Sequence, residues 1–186
     1  GNNPIVTLPL DYKGGKYGIG DNVFKNRNGL TSITIPNSVK SIGNYAFYGC
    51  TGLTSIKIPE SVISIGERAF ANCIGLTSFT IPNGVTSIGM GAFASCTGLT
   101  SIKIPESLTS IGEWAFENCS RLNKIFISDL SAWCKISFSD NPLSYAKHLY
   151  LNGKEITDLV IPEDVTSIGG SAFAHCSTLT SVSIPE

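Results

Sequence analysis

A period of 23 residues is the feature of this sequence that most constrains its fold, because a fixed repeat gives residues in register the same structural role. Three residue types keep this spacing over four consecutive units. They are Phe47, Phe70, Phe93 and Phe116; Cys50, Cys73, Cys96 and Cys119; and Pro36, Pro59, Pro82 and Pro105. Each unit is therefore expected to form one turn of the same structure.

The sequence pattern of each unit predicts a short strand followed by tighter turns. Ile33 and Ile35 flank Thr34 with the period of two that buries one face of a strand, and Pro36 ends that strand. The Ser-Ile-Gly element predicts a second extended segment, and Ala-Phe-x-x-Cys is too short for more than a helical turn. No unit can bury its own apolar side chains, so stacked units should form a curved solenoid with a parallel sheet on its concave face.

The repeats divide the chain into four segments of one domain. The length of 186 residues and the hydrophobic content of 42% fit a single domain spanning residues 1–186. Residues 30–122 form the regular repeats, and repeats resume over 159–186. In residues 1–29, Ile19, Gly20 and Phe24 keep the register but Arg27 replaces the cysteine. This segment is therefore a degenerate first repeat or a cap.

The consensus L-T-S-I-x-I-P, V-x-S-I-G, A-F-x-x-C resembles the BspA-like leucine-rich repeats. The resemblance covers residues 30–122 and 156–186, and more weakly 17–29. It implies a leucine-rich-repeat solenoid and a secreted or cell-surface bacterial protein. Some members of this family are adhesins that bind host matrix proteins or other bacteria. The resemblance specifies the fold more closely than the function, which must be argued from a site.

The period is interrupted once, within residues 123–158. Phe116 and Phe173 lie 57 residues apart, which is two periods plus 11 residues. The segment Asp129–Cys134 predicts a capped short helix, and Leu149–Ile156 alternates around an Asn-Gly turn that predicts a hairpin. This insertion is either a tolerated loop elaboration or a specificity-determining excursion from the solenoid.

Charge and hydropathy argue against several classes of partner. The 13 basic and 14 acidic residues give a net charge of -1, so no broad field directs the chain to nucleic acid or to an acidic membrane. No segment approaches the roughly 20 apolar residues that span a bilayer. The start Gly1–Pro4 lacks a basic region followed by an apolar run, so the protein is expected either to be cytoplasmic or to have lost a signal peptide. Because the family resemblance implies a secreted or cell-surface protein, the expected location is extracellular or at the cell surface, with the signal peptide absent from this sequence.

No motif predicts catalysis, a metal or a cofactor. His148 and His175 are isolated, no serine lies in a G-x-S-x-G context, and Gly18 and Gly20 form only half of a dinucleotide fingerprint. No C-x-x-C pair is available for zinc.

Five of the six cysteines occupy one repeat position and are expected to be buried free thiols, whereas Cys134 lies off the repeat. Stacked side chains run parallel, so neighbouring cysteines are poorly placed for disulfides. The five cysteines at the repeat position are Cys50, Cys73, Cys96, Cys119 and Cys176.

The candidate binding residues occupy the central outward position of successive strands. The regular repeats have small or basic residues there, and residues near the insertion are apolar. An exposed apolar cluster can mark an interface. In the alternative interpretation the insertion covers the apolar residues, and the lysines are ordinary charges on a solvated sheet. The predicted ligand-binding residues are Phe126, Tyr150, Val160, Lys57 and Lys103.

The predicted function is that of a non-catalytic interaction or adhesion module. Its expected ligand is a host or bacterial surface protein or glycan, bound by the concave sheet and the 123–158 insertion. A passive spacer within a larger surface protein is the alternative. Neither function requires a cofactor.

Overall fold

Two rows of short parallel strands run along the molecule, with one strand of each row in a typical repeat. The computed structural model describes residues 17–185 and the backbone of strand β1, so the rest of the predicted cap in 1–16 lies outside the described residues. Numbered along the chain, the first row contains β1 (Ile5–Thr7), β3 (Ser32–Thr34), β6 (Ser78–Thr80), β8 (Ser101–Lys103), β10 (Lys124–Ile127), β12 (Leu149–Leu151), β14 (Asp158–Val160) and β15 (Ser181–Ser183). The second row contains β2 (Tyr17–Ile19), β4 (Val39–Ile42), β5 (Ser64–Ile65), β7 (Ser87–Ile88), β9 (Ser110–Ile111) and β11 (Ser137–Phe138).

The strands pair in the register of the repeat, which confirms the predicted solenoid. In the first row, β6, β8, β10 and β12 form a parallel sheet, here called the main sheet, in which Thr80 pairs with Lys103 and Lys103 with Phe126. The second row forms a continuous six-stranded parallel sheet from β2 to β11. The predicted second extended segment is therefore a strand in its own right.

The core is built from identical side chains that stack on one another. The rings of Phe47 and Phe70 have centroids 5.2 Å apart and an interplanar angle of 4°, and Phe93 continues the stack at 5.5 Å from Phe70. Phe79, from the main sheet, packs edge-on against Phe93 at 4.7 Å. All of these rings are buried, and the isoleucines of both rows close the core around them.

The turns after the second row are also joined to one another by backbone hydrogen bonds. Alternate N–H groups of one turn donate to carbonyls of the next turn, so the helical turn of each repeat becomes part of a third hydrogen-bonded face. This arrangement satisfies backbone groups that would otherwise be buried without partners. Between the second and third turns, Tyr45, Phe47 and Gly49 donate to Glu67, Ala69 and Ala71 at 2.7–2.8 Å.

The interrupted repeat contains the predicted helix and hairpin. Helix α1 (Leu130–Cys134) begins at Asp129, whose side chain accepts a hydrogen bond from the backbone of Ala132. A second short helix, α2 (Leu143–Ala146), precedes β12. Strand β13 (Lys154–Glu155) then pairs antiparallel with β12 across a turn in which Asn152 and Gly153 both have positive φ. That backbone conformation is the one that an Asn-Gly hairpin turn adopts.

The hairpin ends the main sheet. Because β13 occupies the edge of β12, β14 does not join that sheet and instead pairs with β15 in a separate two-stranded sheet. The final repeat is held from the other side of the molecule. The indole N–H of Trp133 donates to the carbonyl of Ala172 at 3.0 Å, and the N–H of Gly169 donates to the carbonyl of Cys134.

The stacked cysteines are buried free thiols, and those of the regular repeats donate to backbone carbonyls of the preceding repeat. The Sγ atom of Cys73 donates to the carbonyl of Phe47 at 3.1 Å, and Cys96 and Cys119 make the same contact one and two repeats later. Desolvation raises the pKa of the Cys119 thiol to about 12 and that of Cys50 to about 11. These thiols are therefore poor nucleophiles at neutral pH.

A thiol titration is expected to count six free thiols in denaturant and very few in the native protein. The native thiols should be slow to react because burial both shields them and raises their pKa values. Reaction with a chromogenic disulfide reagent, with and without guanidinium, measures both numbers. Two or more thiols that stay protected in denaturant without reductant would show disulfides and contradict the ladder.

Candidate functional site

Three of the five predicted binding residues are neighbours on the main sheet. Lys103 pairs with Phe126, and Phe126 pairs with Tyr150, so their side chains leave the same face of three adjacent strands. Alternation along each strand buries the flanking residues, as shown by Ile125 at 0% exposure. The outward position of Phe126 is thus fixed by the register of the core.

Phe126 and Tyr150 form an aromatic pair at the solvent boundary. Their ring centroids lie 5.1 Å apart with an interplanar angle of 39°, and both side chains are half-buried. The ammonium group of Lys124 lies 5.9 Å from the Tyr150 centroid, within cation–π range. The insertion therefore leaves part of each ring accessible, and exposed lysines lie on both sides of the pair. We call Lys103, Lys124, Phe126 and Tyr150 the aromatic–lysine cluster.

The return strand of the hairpin adds polar groups to the edge of this cluster. Glu155 pairs with Tyr150 across the hairpin, and its carboxylate accepts a hydrogen bond from the Tyr150 hydroxyl at 3.4 Å. The other carboxylate oxygen lies 2.6 Å from Nδ1 of His148. Partial desolvation, together with the charge of Glu155, raises the pKa of the Tyr150 phenol. The phenol therefore stays protonated as a hydrogen-bond donor at neutral pH.

Val160 and Lys57 lie apart from the cluster. Val160 is 65% exposed on β14, beyond the hairpin, beside a groove of about 220 Å³ that hairpin residues and β14 line. Lys57 lies on the opposite side of β6, where it forms an isolated bridge with Thr34. The structure therefore brings Lys103, Phe126 and Tyr150 together and leaves the other two predicted residues separate.

The sequence interpretation missed three residues that contribute to the cluster. Lys124 occupies an outward position that holds serine in the regular repeats, so its departure from the repeat was a usable signal. Glu155 and His148 gave no comparable signal, because their contact depends on how the hairpin folds back onto β12. An insertion has no repeat register from which such a contact could be inferred.

No cluster of metal-binding side chains is present in residues 17–185. Within that part of the chain, no three histidine, cysteine, aspartate or glutamate side chains are placed to hold a metal ion together. The contact of His148 with Glu155 lies on an open sheet rather than in a closed cleft. No helix among the described residues is both long and apolar enough to cross a bilayer.

Comparison with known proteins identifies the repeat. A model of the BspA type leucine rich repeat region matches residues 18–144 and 144–186, with six copies. Among solved structures, the T. pallidum leucine-rich-repeat protein TpLRR superposes with a TM-score of 0.65 and 24% identity, over 98% of this chain and 70% of that protein. The pneumococcal vaccine antigen PcpA gives a TM-score of 0.57 and 17% identity, over 82% of this chain and 41% of PcpA.

The likenesses to TpLRR and PcpA show the fold, and the family model shows the family of this chain. A leucine-rich-repeat protein from Bacteroides ovatus is 27% identical over the whole of this chain and 64% of its own length, with a TM-score of 0.47. No curated protein sequence matches this chain. Since the repeat model extends over almost all of residues 18–186, the chain belongs to the BspA-type leucine-rich-repeat family.

Proposed function

We propose that this protein is a non-catalytic interaction module, displayed outside the cell or on its surface, that binds a host or bacterial surface protein or glycan. The observation that carries the proposal is the aromatic–lysine cluster, which lies where the main sheet changes from small polar residues to aromatic ones. Leucine-rich-repeat domains of this type are typically non-catalytic and compatible with protein interaction.

The cluster has the physical properties of a binding hot spot. Phe126 and Tyr150 are held by backbone pairing on both sides of β10 and by contact with each other, so little side-chain entropy remains to be lost on binding. Aromatic side chains surrounded by polar groups dominate the energetics of many interfaces. Lys103 and Lys124 add positive charge that can steer an acidic ligand surface toward the rings.

The family and its relatives support a surface location. BspA-type leucine-rich-repeat proteins are often surface-associated. PcpA, which shares the fold, is described as a vaccine antigen, as expected for a protein accessible from outside the cell. A location outside the cytoplasm would place the aromatic–lysine cluster where it can meet a host matrix, a mucin layer or another bacterium.

Replacing both aromatic residues, as Phe126→Ser with Tyr150→Ser, is expected to weaken ligand capture by about 1–2 kcal/mol or more, because aromatic anchors dominate interface energies. Capture is measured with immobilised host extracellular matrix and mucin, and the melting temperature is recorded beside it. Val160→Ser is the matched control, since it removes an exposed apolar side chain from the same repeat position outside the cluster. That control should bind as well as the parent protein.

Two results would contradict the proposed site. A double variant that binds and melts like the parent would exclude the cluster. A variant that melts lower while its folded fraction binds normally would show that the two rings only stabilise the hairpin. If the parent protein captures nothing from matrix, mucin or bacterial surface fractions, the passive spacer is the better account.

A further inference from the structure

A second surface with binding chemistry lies on the turns of the first repeats, away from the main sheet. It is a depression of about 400 Å³, within the range of about 300–1,000 Å³ that is usual for small-molecule sites. Aromatic, cationic and small polar side chains line it, and the proposed function of the main sheet does not involve them. The residues that matter for its chemistry are Lys25, Tyr45, Tyr48, Arg68, Asn72 and Ser95.

Two tyrosine rings and two cations form one side of this depression. The centroids of Tyr45 and Tyr48 are 5.6 Å apart, and the Nζ atom of Lys25 lies 5.0 Å from the first ring and 5.4 Å from the second. The Nη1 atom of Arg68 donates to the Tyr45 hydroxyl at 3.0 Å. That hydroxyl in turn donates to the Glu67 carboxylate at 3.0 Å. The tyrosines are thus in contact with both cations.

The two cations are not neutralised by a carboxylate at close range. Among the described residues, no acidic oxygen lies within 4.0 Å of the Lys25 ammonium or the Arg68 guanidinium, since the ion pairs there involve Lys135 and His148. Of the side chains that line the depression, Glu117 is the single acidic one. Two carboxylates lie nearby, Glu117 in the lining and Glu67 behind the Tyr45 hydroxyl, but neither contacts a cation. The Lys25 ammonium and the Arg68 guanidinium therefore keep N–H groups that can pair with an anionic ligand.

The backbone keeps bulky side chains on this surface in an unfavourable conformation. Tyr45, Arg68 and Ser95 have φ angles of 56°, 47° and 59°, in the left-handed region that disfavours residues with a Cβ atom. The repeat position shared by Tyr45 and Arg68 is filled by Gly91 in the next unit, so the fold itself accepts glycine there. Asn22 and Trp114, at the same repeat position, also have positive φ, so this conformation belongs to the repeat and sets the direction in which Tyr45 and Arg68 leave their turns.

The space above Arg68 depends on the absence of a side chain at residue 91. A Cβ atom there would lie 3.0 Å from Cγ of Arg68. With glycine at this position, the aliphatic part of Arg68 lies against backbone, and the neighbouring Ala94 and Ser95 are too small to fill the depression. Asn72 and Ser95 place an amide and a hydroxyl at its margin, and these groups donate to and accept from sugar hydroxyls.

We propose that this depression binds an acidic saccharide, a pyranose unit that carries a carboxylate. The carboxylate would pair with Lys25 and Arg68, and the sugar hydroxyls would bind Asn72, Ser95 and Glu117. Exposed parts of the tyrosine rings would pack against the apolar face of the sugar. This site is separate from the aromatic–lysine cluster, so either can fail experimentally without the other.

Isothermal titration of the whole protein tests the proposal with three probes. Tetragalacturonate and a hyaluronan oligosaccharide both carry uronate groups but represent plant or microbial and host sources, respectively. A neutral galactan of equal length is the third probe. At least one of the acidic saccharides should bind, with an affinity at least tenfold higher than that of the neutral galactan. Its binding should weaken as the salt concentration is raised, because the contact is partly ionic.

Charge-removing variants separate this site from general electrostatic attraction. Lys25→Gln with Arg68→Gln should reduce acidic-saccharide binding at least tenfold, and Tyr48→Ser should reduce it severalfold. The matched control is Lys57→Gln with Arg121→Gln, which removes one lysine charge and one arginine charge from exposed positions outside both surfaces and should change binding less than twofold. A loss of saccharide binding in Phe126→Ser with Tyr150→Ser would instead place the saccharide on the aromatic–lysine cluster and overturn the proposal. Melting temperatures verify that each variant is folded.

Several outcomes would overturn the proposal. They are the absence of binding to either acidic saccharide, equal binding of the neutral galactan, and equal losses in the two charge-removing pairs. Tighter binding of a glutamate-rich peptide than of either saccharide would assign the depression to acidic peptides instead. Lys25 is exposed, so Lys25→Gln alone provides a variant whose loss of binding would not come from misfolding.

Discussion

Phe70→Ala is expected to lower the free energy of unfolding by about 3–5 kcal/mol, the usual cost of removing a fully buried aromatic ring. The Phe70 ring contacts Phe47 at 5.2 Å and Phe93 at 5.5 Å, so the cavity would open between three successive repeats. Phe79 also packs against Phe70, at 5.0 Å, and would lose that contact. Neighbouring turns are fixed by backbone hydrogen bonds and cannot collapse freely into the space.

Guanidinium denaturation followed by far-ultraviolet circular dichroism measures this effect. Lys57→Ala is the control, because it removes a long side chain from an exposed position of the regular repeats and should change stability by less than about 0.5 kcal/mol. Similar unfolding midpoints for the two variants would mean that the phenylalanine stack does not hold the repeats together. A repeat protein can unfold in stages, so the comparison depends on midpoints as well as on fitted free energies.

The regular part of the fold could be predicted because a repeat supplies many independent copies of the same pattern. Ile33 alone indicates little, but the same pattern in every unit fixes which face is buried and which residues become neighbours. The pairing of Lys103 with Phe126 follows from that register alone. The outward position of the candidate binding residues could therefore be predicted from the amino-acid sequence.

Contacts that cross the interrupted repeat could not be predicted in this way. The helix capped by Asp129 and the Asn-Gly hairpin had local sequence signals, and both are confirmed. The sequence did not indicate that β13 would cover the edge of β12 and separate β14 from the main sheet. The repeat register alone groups Val160 with Tyr150, whereas the structure places the hairpin between them.

Trp133→Ala is expected to lower stability by about 3–5 kcal/mol and to loosen the final repeat before the others. Trp133 is 1% exposed, packs against Phe138 with ring centroids 4.9 Å apart, and donates to the carbonyl of Ala172 at 3.0 Å. The final repeat does not pair with the main sheet, so this indole is one of the contacts that attach it. Removing the indole should therefore affect residues 158–185 more than the central repeats.

Hydrogen exchange of backbone amides, with denaturant titration beside it, distinguishes a local effect from a global one. Amides of β14 and β15 should exchange faster in Trp133→Ala, and those around Phe93 should change less. Trp114→Ala is the matched control, because it removes the same side chain from a position that is 50% exposed and should change stability by at most about 0.5 kcal/mol. Equal effects of the two substitutions would mean that the insertion is only a loop on the solenoid. A larger effect of Trp133→Ala, localised to the final repeat, would instead make α1 the structural element that continues the solenoid past the break in its sheet.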